Sequence, residues 1–295
     1  MSGGRGGGLL PVDRVAIGYF GCTGLISLAF GGLSGAGIAA AHAIAVFGIT
    51  RLAAWHPRAG LAAIARGAYA VLLTPLLYAE LAVLNRFLTQ RYFDATVQAW
   101  DAAMFGGQPS IGLSAWLPWL PFSEVLHLGY FAYYAIIPAA ILGVFATRGI
   151  EAMQRTALAV ATAFFVSYLV FMFFPVAGPR YEFAQIVGEI GEGTLFGIVH
   201  GILEAGSSKG TAFPSSHIAA SLAGVMAAGR EDRRWFWLLI IPELALTAGT
   251  VYGRFHYAAD ALAGILLGLL ICAVLRAADG AADGARAAES GQPAG

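Results

Sequence analysis

Residues 15–50 read VAIGYFGCTGLISLAFGGLSGAGIAAAHAIAVFGIT, 36 positions without a Lys, Arg, Asp or Glu. A helix needs about 20 apolar residues to cross the hydrocarbon core of a bilayer, so this run is too long for one span and sufficient for two. The Gly-rich stretch Gly31–Gly37 is where it should break. The remaining chain has the same character: it is 58% hydrophobic and 12% charged, with mean hydropathy +0.72. That composition indicates an all-α polytopic membrane protein and excludes an ordinary soluble domain. A net charge of zero offers no basic surface for nucleic acid. Cys22 and Cys272 both fall in apolar runs, which argues against a disulfide framework or a zinc site. The first apolar run is too long for a cleaved signal peptide and carries no convincing cleavage site.

Six further apolar runs follow, at about 67–86, 125–147, 156–175, 213–230, 235–253 and 256–275. Eight spans are therefore expected. Glu80 and Glu243 lie inside them, and intramembrane acids are costly unless paired or functional. The Trp- and Pro-rich segment 87–123 reads as an interfacial loop or re-entrant piece, and the segment 176–213 reads as a second long loop. The division expected is a disordered N-terminus over 1–13, two extra spans over 14–64, a six-helix core over 65–276 and a disordered tail over 277–295. With the N-terminus inside, the outer segments hold Arg86, Arg91, Arg180, Lys209 and Arg254, and the other twelve of the 17 basic residues lie inside. The positive-inside rule favours that orientation, with both termini cytoplasmic.

Three outer-face segments then converge. The first is Phe174-Pro-Val-Ala-Gly-Pro-Arg180-Tyr181; the second is Lys209-Gly-Thr-Ala-Phe-Pro-Ser215-Ser216-His217; the third is Arg254-Phe-His256-Tyr-Ala-Ala-Asp260. Positions i and i+4 share a helix face, so Asp260 can hold the His256 ring in one tautomer and leave its other nitrogen as a nucleophile. Arg180, Lys209 and Arg254 supply positive charge, while Ser215, Ser216 and helix N-termini supply donors for an anion. A phosphoryl group fits this set. His256 would attack, His217 would protonate the leaving alkoxide, and the cations would neutralise the phosphoryl oxygens. No metal-ligand cluster is legible, and this chemistry requires no cofactor. Asp101 and Tyr181 are further candidate contacts for the head group.

The segments Pro214-Ser-Ser-His217 and His256-Tyr-Ala-Ala-Asp260 resemble the second and third motifs of the type 2 phosphatidic acid phosphatase superfamily, with Ser216 where that pattern has Gly. Phe174-Pro-Val-Ala-Gly-Pro179, the form Arg-x-His-Tyr-x-x-Asp, and Asp101-Ala-Ala-Met-Phe-Gly106 look most similar to its inositol phosphorylceramide synthase branch. The resemblance covers roughly residues 65–275. It implies a six-helix catalytic core, a lipid phosphate substrate, a lipid alcohol as a possible acceptor, His256 as nucleophile, Asp260 as its partner and His217 as acid. This chain departs from the pattern at Phe173, Tyr181 and Thr250, which stand where the superfamily has Lys, Pro and Arg. Arg180, Arg254 and Lys209 are the cations at hand to replace them. A lipid or anion carrier that merely binds phosphate is the competing class. Carriers of that kind often show internal repeats and helices broken at the midplane. The sequence shows no convincing repeat, and its suspect residues gather at one interface.

Overall fold

The computed structural model describes residues 8–290, with side chains to 285. It is all-α. The run 15–50 does divide: α1 (Pro11–Phe30) and α2 (Gly32–Leu52) form a hairpin around Gly31. Close approach of the pair depends on Gly35, where a Cβ would meet the Ser27 carbonyl. Next come α3 (Gly60–Leu72) and α4 (Thr74–Leu88), which together make one span from 60 to 88. Pro75 cannot donate to the Val71 carbonyl, and the Thr74 hydroxyl does so instead at 2.7 Å. Two short helices, α5 (Asp94–Phe105) and α6 (Pro109–Trp116), occupy the expected interfacial segment. α7 (Leu120–Phe131) and α8 (Tyr133–Arg148) form a span bent by 43°.

The rest of the bundle is α9 (Ile150–Phe173), α10 (Pro179–Glu182), α11 (Thr194–Gly206), α12 (Ser216–Glu231), α13 (Arg233–Tyr252) and α14 (Ala258–Ser290). Among the described residues, six helical segments are long and apolar enough to cross a membrane, and the bent α7–α8 pair makes seven. The eighth expected span is α12. Its 16 residues give about 24 Å, less than a hydrocarbon core of about 30 Å. It is enclosed by α8, α9, α13 and α14 rather than by lipid. The chain is thus an integral membrane protein built around one short central helix.

Three expected boundaries move. Helix α1 starts at Pro11, inside the stretch expected to be disordered; residues 1–7 lie outside the described residues. The cause is Asp13, whose carboxylate accepts from the Leu10 N–H and from both terminal nitrogens of Arg66, at 2.9 and 2.6 Å. Arg66 belongs to α3, which begins at Gly60, so the boundary expected at 65 falls within a helix. A paired guanidinium does not end a span. The tail expected to be disordered from 277 continues α14 to Ser290, because its Ala-rich composition favours helix; residues 291–295 lie outside the described residues.

Helix α1 is fastened to the bundle by Tyr19 stacked on Phe165 of α9, ring centroids 4.6 Å apart. Glu80 of α4 is paired, as its cost requires: both carboxylate oxygens lie 3.1 Å from Nε2 of His42, whose Nδ1 is 2.9 Å from the Thr23 hydroxyl. His42 showed no partner pattern in the sequence. One end of the bundle gathers Arg148 with Asp232, Arg155 with Glu231 and Arg230 with Asp279. His217 and His256 lie at the other end. Asp13 and Arg66 are both buried, so truncating one strands the other's charge. Asp13→Ala is expected to lower stability by about 3–5 kcal/mol, seen as a fall in Tm in detergent. Asp13→Leu combined with Arg66→Met should recover most of that loss.

Candidate active site

Asp94 and Asp101, both on α5, hold the site's backbone. Asp94 accepts from the Ala177 and Gly178 N–H groups at 2.9 and 2.8 Å and from the Tyr257 hydroxyl at 3.0 Å. Asp101 accepts from the Ala258 and Ala259 N–H groups at 3.1 and 2.8 Å, at the N-terminus of α14. Burial pushes the Asp101 carboxyl up, and these two N–H groups pull it back down. Asp101 was a candidate head-group contact in the sequence. The structure corrects this: the side chain is fully buried and both its oxygens are committed to backbone. The Val-Ala-Gly loop folds against this platform. Gly178 has φ +100, and a Cβ there would press on Ala212. The Ala212 N–H bonds to the Val176 carbonyl at 2.9 Å, joining the first loop to the second.

The second and third segments meet where α12 and α14 cross. The Ser215 N–H donates to the Asp260 carbonyl at 3.0 Å. The contact is close because Gly264 and Gly268 face α12: a Cβ on Gly264 would lie 2.7 Å from the Ser215 carbonyl oxygen, and one on Gly268 would lie 2.8 Å from that of Ala219. This crossing brings the rings of His217 and His256 to 6.1 Å between centroids. His256 sits on the turn between α13 and α14, where its own N–H and that of Phe255 bond to the Thr250 carbonyl at 3.2 and 3.1 Å.

Nδ1 of His256 lies 3.4 Å from Oδ2 of Asp260, within ion-pair distance but outside hydrogen-bond geometry. That oxygen accepts from the Tyr257 N–H at 2.9 Å and so caps α14. Burial pulls His256 down to about 4, while the Ala212 carbonyl acts the other way. The ring is therefore neutral throughout the neutral range. The environment of His217 is aromatic. Tyr133 packs edge-on at 4.5 Å and Tyr130 lies at 5.9 Å.

These histidines open into a narrow cleft of about 40 Å³, lined also by Arg180, Tyr181, Tyr78, Ser207 and Thr211. Arg180 and Tyr181 are thus the two expected phosphate or head-group contacts that line it. Nη1 of Arg180 lies 3.5 Å from the Ser207 hydroxyl, and Tyr181 meets that hydroxyl at 2.9 Å. Four other expected contacts do not line the cleft. The Arg254 side chain turns away, donating to the Ala184 carbonyl at 2.6 Å and to the Ser114 hydroxyl at 3.2 Å. Its backbone has φ 58, a left-handed turn that points it out of the loop. Lys209 lies over the rings of Tyr92 and Tyr181 at 4.8 and 5.3 Å. Ser215 and Ser216 are buried at the start of α12. Within the described residues, four buried polar atoms near this crossing have no hydrogen-bond partner: Ser215 Oγ, His217 Nδ1, His256 Nδ1 and Asp260 Oδ1.

Tyr78, Tyr130, Tyr133, Ser207 and Thr211 were not anticipated as part of the site. The run Tyr130–Tyr134 reads as packing in sequence, and nothing local marks two of its members as neighbours of His217. Thr211 and Tyr78 share a 2.8 Å hydrogen bond across 133 residues.

Among known families, the model of the PAP2 superfamily matches residues 95–274. No curated protein and no solved structure matches the chain.

Two outcomes follow from this geometry. Gly264→Ala forces a methyl group against a backbone carbonyl, an overpacking that costs about 1–3 kcal/mol. It should lower Tm and separate the two histidines. The second concerns protonation. Because burial disfavours the charged form, His256 should gain its proton only as pH falls toward 4, well below the ordinary 6.5. Histidine-selective NMR titration, assigned with His256→Gln, reads this directly; a midpoint near 6.5 would contradict the burial described.

Proposed function

The chain belongs to the PAP2 superfamily, and on that footing we propose that it transfers a phosphoryl group from a membrane lipid through His256. The observation that carries this reading is the facing pair His217 and His256, in one cleft with Arg180. In the first step the His256 ring nitrogen turned away from Asp260 attacks phosphorus. The bond from phosphorus to the lipid oxygen breaks as the new P–N bond forms. His217 delivers its proton to the departing alkoxide. In the second step water, or a lipid alcohol, gives a proton to His217 and attacks the phosphohistidine, restoring both rings.

The electrostatics support that order. A neutral His256 is the nucleophilic form, and burial keeps it neutral. His217 must carry a proton, and an anionic phosphate beside it favours the charged ring. Arg180 neutralises the phosphoryl oxygens, and Tyr181 and Ser207 offer hydroxyl donors. Asp260 acts as a positioning residue, with its 3.4 Å approach tightening when the ring becomes charged. Arg254 and Lys209 remain candidates for the lipid head group outside the phosphoryl pocket. We take α1 and α2 as additions preceding the catalytic core. The concentration of arginines at the far end of the bundle supports an outer position for the histidines.

Hydrolysis of a phosphate monoester and transfer of a head group share the first step. The likeness of Phe174–Pro179 and Arg254–Asp260 to the inositol phosphorylceramide synthase branch favours transfer. The purified protein should be offered phosphatidic acid, polyprenyl diphosphate and phosphatidylinositol, with and without ceramide or diacylglycerol. Phosphate release without an acceptor identifies a phosphatase. A new phospholipid formed only with the alcohol identifies a transferase. Neither product from any pair would leave a carrier as the reading. His256→Ala should abolish turnover with folding intact, and His217→Ala should slow it about 10²–10⁴-fold. Full activity in His256→Ala would sink this mechanism. In kcat/KM against pH, the acid limb should fall near pH 4, where the free His256 ring becomes protonated.

A further inference from the structure

At the end of the bundle opposite the histidines, α9, the α12–α13 turn and α14 enclose a cavity of about 890 Å³. The length of α12 explains it. After 16 residues the chain turns at Asp232 straight into α13. Helix α9, with 24 residues, and α14, with 33, extend beyond what α12 can fill. A wedge therefore opens between them. Its wall is apolar, formed by Leu158, Met226, Ala227, Leu269, Ala273 and Leu275. Leu269 is 41% exposed.

The rim is charged and unbalanced. It carries Arg155, Arg230, Arg233 and Arg276 against Glu231 and Asp279. Both acids are already engaged. Glu231 receives two hydrogen bonds of 2.7 Å from Arg155, and Asp279 receives one of 2.8 Å from Arg230. Among the described residues, Arg233 and Arg276 have no carboxylate within ion-pair distance. The Arg233 guanidinium rests 5.6 Å from the Trp237 ring centre.

The geometry points to a resident anionic phospholipid in this wedge, its phosphate on Arg233 and Arg276 and an acyl chain along the apolar wall. Charge complementarity selects the sign, since two arginines are left over after the acids are paired. The apolar wall selects a lipid over a free phosphate, which would leave most of the cavity facing nothing it can bind. A zwitterionic head group would add a second cation to a rim that already has an excess. This site is separate from the cleft at His256 and does not depend on the reaction proposed there.

The test is native mass spectrometry of the full-length protein in neutral detergent, with equal amounts of dioleoyl phosphatidylglycerol and dioleoyl phosphatidylcholine. Wild type should retain the anionic lipid roughly 30-fold over the zwitterionic one, the scale expected of two basic residues facing an anionic head group. Arg233→Gln combined with Arg276→Gln should erase that preference. Arg91→Gln, in the loop after α4 at the opposite end, should leave it unchanged. No preference in wild type, or an undiminished one in the double variant, overturns the assignment. So does its loss in Arg91→Gln, which would put the lipid at the opposite end. Complete displacement by inorganic phosphate would mean that a simple anion occupies the rim. If the double variant does not fold, Ala273→Trp decides: filling the wall must reduce retention, and full retention overturns the site.

Discussion

The site depends on how closely α14 can approach α12. Gly264 and Gly268, one turn apart, present bare backbone to the carbonyls of Ser215 and Ala219. In lipid, helices gain little from hydrophobic exclusion, so such small-residue contacts set which helices touch. Here the consequence is chemical. The crossing lets the Ser215 N–H reach the Asp260 carbonyl, and it fixes the first turns of both helices in one frame. His217 and His256 are carried by those turns. Their 6.1 Å separation is a property of helix packing before it is a property of either side chain.

Charge near the site divides into structural and available groups. Asp94 and Asp101 accept five hydrogen bonds between them, four from backbone N–H groups and one from Tyr257. A buried carboxylate would be costly unless fully bonded, and these are. They sit behind the loops, so the cleft itself presents a guanidinium, hydroxyls and imidazoles. That separation suits an anion. A free carboxylate in the cleft would repel phosphate, whereas one that holds N–H groups in place fixes the shape of the site.

The spans and the histidine pair were legible in the sequence because both rest on local pattern. Uncharged runs of about 20 residues announce crossings, and His256 with Asp260 share a face by spacing alone. Direction was not legible. Arg254 stands two residues from His256, yet its left-handed backbone turns the side chain toward Ser114. Lys209 finds two tyrosines, and Asp101 finds the end of a helix 157 residues away. Pairs such as Asp13 with Arg66 and His42 with Glu80 join residues 53 and 38 positions apart. A charge in an apolar run signals that a partner exists and gives no indication of which one. The same limit hid Tyr78, Tyr130 and Tyr133, whose relation to the cleft arises only when separate helices converge.

One helix length accounts for the character of both ends. At about 24 Å, α12 cannot reach both surfaces of a bilayer whose apolar core is about 30 Å thick. At its first turn, His217 is walled by Tyr130 and Tyr133. At its last turn, the shortfall leaves α9 and α14 splayed around an apolar wedge with arginines at its mouth. Lengthening α12 would fill the wedge. The enclosure of His217 and the cavity at the far end are thus both set by the same 16 residues.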